Sequence, residues 1–123
     1  MSSFELDLAR FGQKALGNAE KVVRKISLDM HSRIVERTPV DTGRAKAGTH
    51  ISINTQPAGE NGPGESGINP FKLGDTVIIY NNVEYIVPLE YGHSKQAPQG
   101  MFRISFNEVV MHLGATLRSV ARG

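Results

Sequence analysis

The segment LEYGHSKQAPQGM, Leu89 to Met101, carries the side chains with the most evident chemistry: Glu90, His93 and Ser94, framed by Gly92 and Gly100. A serine nucleophile needs a histidine to take its proton and a third group to orient that histidine. Ser94 is adjacent to His93, and adjacent residues rarely point at each other. It also lacks the G-x-S-x-G elbow that presents a nucleophile at a strand-to-helix turn. A loop whose polar side chains tie its own backbone and a neighbour's accounts for the segment better than a hydrolase site. Metal binding fares no better. The histidines stand at positions 31, 50, 93 and 112, without the H-x₃-H or H-E-x-x-H spacing that puts two ligands on one helix face. The glycines from Gly59 to Gly67 lack the lysine of a phosphate-binding loop, and Glu60 and Glu65 give that stretch the wrong sign. No catalytic residue, metal ligand or cofactor is assigned, and the expectation is a protein that is not an enzyme.

A second stretch, TPVDTGRAKAG from Thr38 to Gly48, has an architectural reading. Pro39 breaks a helix, Asp41 and Thr42 support a turn through their side chains, Gly43 supplies a permissive backbone, and Arg44 leads toward a strand. In LEYG, a partly buried Glu90 would want a cationic partner, for which Arg44 and Arg103 are the candidates. A bidentate arginine–carboxylate pair would lock two loops together. That is a joint, and it requires no substrate.

The elements that position these motifs follow from periodicity. Phe4, Leu8, Phe11, Ala15, Ala19, Val22, Ile26, Met30 and Ile34 recur in steps of three and four, which predicts one long helix over residues 1–38. Ser2 with Glu5 has capping-box spacing, and the residue before Pro39 is pushed out of the helical region. Such a rod would be about 45–50 Å long, more than a chain of 123 residues covers, so part of its stripe is expected against another subunit. Thr49 to Asn54 alternates like a half-buried strand, and Thr76 to Tyr80 is β-branched and ends at an Asn81-Asn82 turn. Between them, residues 55–75 are dominated by Gly, Pro, Asn and Glu, and are expected to form a flexible loop or inter-subunit arm. Val83 to Tyr91 fits a strand by composition, but Pro88 argues against a central strand and favours a short helix. Phe102, Phe106, Val109, Leu113, Leu117 and Val120 predict a final helix over 101–122.

Composition bounds the class. An apolar fraction of 39%, with 13 glycines and six prolines, fits one modest core or a subunit that completes its burial against neighbours. Cysteine is absent, which excludes disulfides and thiolate chemistry. The sequence opens without a signal-peptide pattern, and no run approaches the roughly 18 apolar residues of a membrane span. A net charge of +2 is no nucleic-acid footprint. Lys14, Lys21, Arg24, Lys25, Arg33 and Arg37 leave a small basic nucleic-acid binder as the alternative class, although interleaved acids favour a solvated face.

Taken in order, TPVDTGR after an amphipathic helix, then NNVEY, then LEYG-x-S-x-QAP-x-GM before a final helix, resemble a bacteriophage family from about Glu20 to the C-terminus. It comprises the neck and tail-completion, or head–tail joining, proteins of long-tailed double-stranded DNA phages and prophages. The resemblance implies an α+β fold with helices packed on a small antiparallel sheet. It also implies a non-enzymatic virion part made in the host cytoplasm and placed in the neck or tail. A homo-oligomer is implied, commonly a hexameric ring around the DNA channel, in contact with tail-tube and head-connector proteins and without a membrane role. The motif residues fall on Thr38, Pro39, Val40, Asp41, Thr42, Gly43 and Arg44, and on Tyr85, Glu90, Gly92, Gln96, Ala97 and Pro98. His93 departs from the pattern, where small polar residues are more usual.

Overall fold

Residues 3–6, 19–40, 43–91 and 100–122 are described by the computed structural model. Their order is β1 (Ser3–Leu6), α1 (Ala19–Arg37), α2 (Arg44–Ala47), β2 (Thr49–Ile53), a 3-10 turn (Gly64–Ile68), β3 (Val77–Asn81), α3 (Ile86–Glu90), α4 (Phe102–Met111) and α5 (Leu113–Arg122). The fold is α+β. The sheet is antiparallel with order β1-β3-β2. β2, β3 and the short α3 lie where the sequence predicts them.

Alternation sets the two faces of the sheet. Ile51 pairs with Ile79 and Ile53 with Val77. This face meets Val22, Val23, Ile26, Met30 and Ile34 of α1, with Phe102 and Val109 of α4, in one core. The α1 stripe thus follows the predicted spacing, joined by Val23 and Ser27. At its end Thr38 donates from its backbone N–H and from its hydroxyl to the Ile34 carbonyl, at 3.0 and 2.7 Å. That satisfies the orphan carbonyl where Pro39 stops the helix.

Three expectations need correction. Residues 3–6 are not the start of the long helix. Ser3-Phe4-Glu5-Leu6 also alternates, and it pairs with the otherwise open edge of β3, Phe4 opposite Ile79. Residues 7–18 lie outside the described residues. At 19 residues, α1 is about 28 Å long, and β2, the 3-10 turn, α4 and α5 of the same chain pack along it. The argument that a partner must cover an oversized rod therefore lapses. The predicted 101–122 helix is two helices meeting at His112, which leaves the helical region (φ −97°, ψ 6°). The break lets Leu113 and Val120 reach the core, while Lys25 Nζ on α1 donates to Ser119 Oγ at 2.6 Å.

The third correction concerns residues 55–75, which are tied down along their length. Asn54, at φ 68°, closes the base: its Oδ1 accepts the Thr76 N–H at 2.8 Å and its Nδ2 donates to Asp75 at 3.1 Å. Asn82 Nδ2 donates to the carbonyls of Pro57 and Gly59. His50 holds Glu60 and Gly64, and Arg24 donates to the carbonyls of Ile68, Asn69 and Phe71. Ile68 and Phe71 are core residues. A segment poor in regular structure is thus fixed by side chains that satisfy its backbone. Replacing Phe71, which is 1% exposed, by alanine is expected to cost about 3–5 kcal/mol in urea unfolding. A loss below about 0.5 kcal/mol, the level of an ordinary surface change, would mean the segment is a detached connector after all.

Candidate functional site

Glu90 is the last residue of α3 and only 5% exposed. Its carboxylate does not sit in a cleft; it closes the N-terminus of α4. Oε1 accepts the backbone N–H groups of Met101 and Phe102 at 2.9 and 2.8 Å. Oε2 accepts the Arg103 N–H and the Arg103 Nε–H, both at 3.0 Å. Arg103 also donates to the Glu90 carbonyl, and its guanidinium lies 4.9 Å from the Tyr91 ring centroid. Met101, at the cap position, makes no side-chain cap bond, so a carboxylate eleven to thirteen residues away supplies the cap that a local Ser or Asp would give. The positive end of the helix dipole favours an anion at this place. Gly100 permits the approach. Its φ is +83°, and a Cβ there would lie 2.3 Å from the Glu90 carbonyl oxygen.

Burial by itself would push the Glu90 carboxyl up. The N–H groups of Phe102, Arg103 and Met101, with the Arg103 side chain, outweigh burial and hold it below the usual glutamate value. The other end of α3 carries a second joint. Tyr85 is the α3 cap residue, and the Arg44 guanidinium lies 5.6 Å from its ring centroid. Arg44 binds the Glu60 carboxylate with two bonds, 2.8 and 2.6 Å, which raises the arginine's pKa and lowers the acid's. Gly43, at φ 72°, is the cap position of α2.

Of the expected pairings, Arg103–Glu90 forms, whereas Arg44 turns to Glu60. The sequence gives no signal for that choice, because the partner lies in the glycine-rich segment. Thr38, Pro39, Gly43, Arg44, Tyr85 and Glu90 fall at four structural points: the α1 stop, the α2 turn and the two ends of α3. Asp41, Thr42, Gly92, His93, Ser94, Gln96, Ala97 and Pro98 lie outside the described residues.

Sequence reasoning missed a third joint. Glu108 on α4 takes Arg33 Nη1 at 3.0 Å and both terminal nitrogens of Arg37, and Arg33 also binds Asp29 at 2.9 Å. Positions this far apart in sequence carry no periodic signal. Arg24, Arg33 and Arg37 are therefore engaged within the chain, and the basic row that suggested nucleic-acid binding is largely satisfied.

The remaining chemical readings find little geometry. His31 Nε2 contacts the Thr49 carbonyl at 2.8 Å, and His50 is bound to backbone on both ring nitrogens. Among the described residues no three His, Asp or Glu side chains gather as a metal site, and no helix is long and apolar enough to cross a membrane. A depression lined by Arg44, Ala47, Gly48, Glu60 and Asn61 has a volume of about 70 Å³, well under the several hundred Å³ of a ligand cleft. On the C-terminal helices, in contrast, Val110 is 52% and Met111 80% exposed, and Phe106 and Leu117 are partly exposed. Comparison with protein-family models, curated proteins and solved structures returned no match.

Glu90→Gln is expected to lower stability at about pH 7 by about 2–3 kcal/mol, since charge-assisted bonds are lost and buried donors are left poorly paired. The wild-type carboxyl is held low in the folded state. Its contribution is therefore complete above the ordinary glutamate range and drains away as pH falls through the lower folded value. The gap between wild type and variant should narrow on acidification, as urea midpoints would show. A gap unchanged down to about pH 3 would mean the charge is irrelevant.

Proposed function

We propose that the chain is a structural subunit of the head–tail junction of a long-tailed double-stranded DNA phage or prophage. On this reading it serves as a neck, tail-completion or tail-terminator protein that works through ring-like self-association. Its partners are further copies of itself and the tail-tube and head-connector proteins, its place is the virion, and DNA passes nearby without being its ligand.

The observation that supports this reading is the use of the motif acid. Glu90 spends its carboxylate on the α4 N-terminus and Arg103, so the most distinctive residue of LEYG fixes a helix and holds nothing for a substrate. The helices so fixed present Val110 and Met111 outward, which is the disposition an association surface requires. The nucleic-acid alternative is weaker because Arg24, Arg33 and Arg37 already have acceptors within the chain.

Light scattering on a gel-filtration eluate should find an oligomer. The double substitution Val110→Asp, Met111→Lys should shift it toward monomer without altering the far-UV spectrum or the unfolding midpoint. A wild type that stays monomeric at high concentration, and also fails to bind tail-tube or connector proteins, would refute the assembly role. Salt-steep DNA binding by that monomer would instead support the alternative class.

A further inference from the structure

The second face of the sheet is closed by backbone from the glycine-rich segment, and one histidine holds the closure. His50 lies on β2, opposite Tyr80 on β3, and is 3% exposed. Its two ring nitrogens have opposite duties. The Gly64 backbone N–H, which can only donate, points at Nδ1 from 2.9 Å. Nδ1 must therefore carry a lone pair. In a neutral imidazole the proton then sits on Nε2, which faces the Glu60 carbonyl at 2.8 Å, an acceptor. The tautomer follows from the partners alone. Gly62 presses its backbone onto the same spot: a Cβ there would lie 2.8 Å from the His50 ring and 3.0 Å from the Tyr80 hydroxyl.

We propose that His50 is an acid-operated latch: neutral, it holds segment 57–64 against the outer face of β2 and β3, and protonated, it releases that segment, while Ile68 keeps its place in the core. Protonation puts a hydrogen on Nδ1. The acceptor for Gly64 vanishes, and two N–H groups are set head to head at a distance fit for a hydrogen bond. A buried cation also needs an anion or solvent, and the described side chains around His50 offer neither. From β3 the facing group is Tyr80, with its ring centroid 5.6 Å away. Its hydroxyl is buried without a hydrogen-bond partner among the described residues, and burial pushes the phenol up, so it stays neutral. From the segment itself, the Glu60 carboxylate is committed to Arg44 of α2, and Glu65 on the 3-10 turn is exposed to solvent. From α1, on the sheet's other face, His31 binds the Thr49 carbonyl through Nε2, a donor role that protonation leaves intact. Released, the segment would uncover His50 and Tyr80 together while the helical face of the sheet stays packed.

The test is an NMR titration of the full chain from about pH 8 to about pH 5, the range in which imidazoles change charge, paired with amide hydrogen exchange corrected for its intrinsic pH dependence. At the upper end His50 should show the Nε2–H tautomer and the Gly64 amide should be protected. As His50 gains its proton, protection at Gly64 and across 57–64 should fall at least about tenfold, the worth of one hydrogen bond, while α1 and β3 amides keep theirs. His31→Gln should leave this response intact, and His50→Gln should make the segment's protection independent of pH. Should that variant fail to fold, the wild-type titration decides. The latch is overturned by an Nδ1–H tautomer, by a His50 still neutral at the lower end, by Gly64 protection that survives protonation, or by protection lost equally throughout the chain.

Discussion

All five residues of β3, Val77 to Asn81, are buried, in a sheet of only three short strands. A strand covered on both faces must be paired along both edges and roofed twice, because each backbone N–H and C=O left in the interior without a partner costs more than a good hydrogen bond returns. Much of the chain's arrangement follows from that demand. β1 and β2 take the edges. α1 and α4 roof one face with apolar side chains, and a stretch rich in glycine and proline serves on the other. Gly62 and Gly67 lie closer to the sheet than any side chain could: a Cβ at Gly67 would stand 1.7 Å from the Ile51 carbonyl oxygen. Glycine here is a packing residue, used where backbone must lie against backbone.

That distinction explains much of what could and could not be read in the sequence. Periodicity marks elements that repeat a pattern, so α1 from Ala19, β2, β3 and the short α3 were legible, the last through Pro88. Residues 55–75 have no period, and composition alone made them an open loop. What holds them is a set of single contacts from distant positions: Arg24 reaching three carbonyls, Asn82 two, Asn54 closing the base. None of these pairs shares a spacing rule. The apolar residues Ile68 and Phe71 were the available hint, since a solvent-exposed arm has little use for them. At the other end, Ser3–Leu6 fits the helical stripe and the strand alternation equally well. The open edge of β3 decided between them, and a tertiary demand of that kind overrides local pattern.

The candidate site divides in the same way. A buried glutamate between an apolar residue and a glycine turn was expected to seek a guanidinium, and Arg103 supplies it. The larger part of the interaction, three backbone N–H groups at the start of α4, could not be foreseen, because it depends on how α3 and α4 approach one another across residues that carry no regular pattern. Arg44 shows the converse. Its residue type announced an ion pair correctly, but Glu60 became the nearer carboxylate once the glycine-rich segment had folded back over the sheet. Both motifs nevertheless do the same physical work, since each places a charged side chain against backbone or charge that would otherwise be left unsatisfied.

These joints are linked. Tyr85 and Glu90 mark the two ends of α3, so five residues of helix connect the Arg44–Glu60 pair to the α4 cap. Glu60 contributes its carboxylate to Arg44 and its carbonyl to His50, so the same residue carries the connection on into the covering segment. A disturbance at His50 therefore reaches Arg44 through one residue and α3 through the ring of Tyr85. The Arg24, Arg33 and Arg37 cations meanwhile point inward to carbonyls and carboxylates, and the apolar side chains of α4 that find no place in the core point outward. Charge is used to fix the fold, and apolar surface on α4 is left exposed. That is the reverse of what an electrostatic ligand site would need, and it suits the assembly role proposed above, in which a subunit's shape is set before it meets its neighbours.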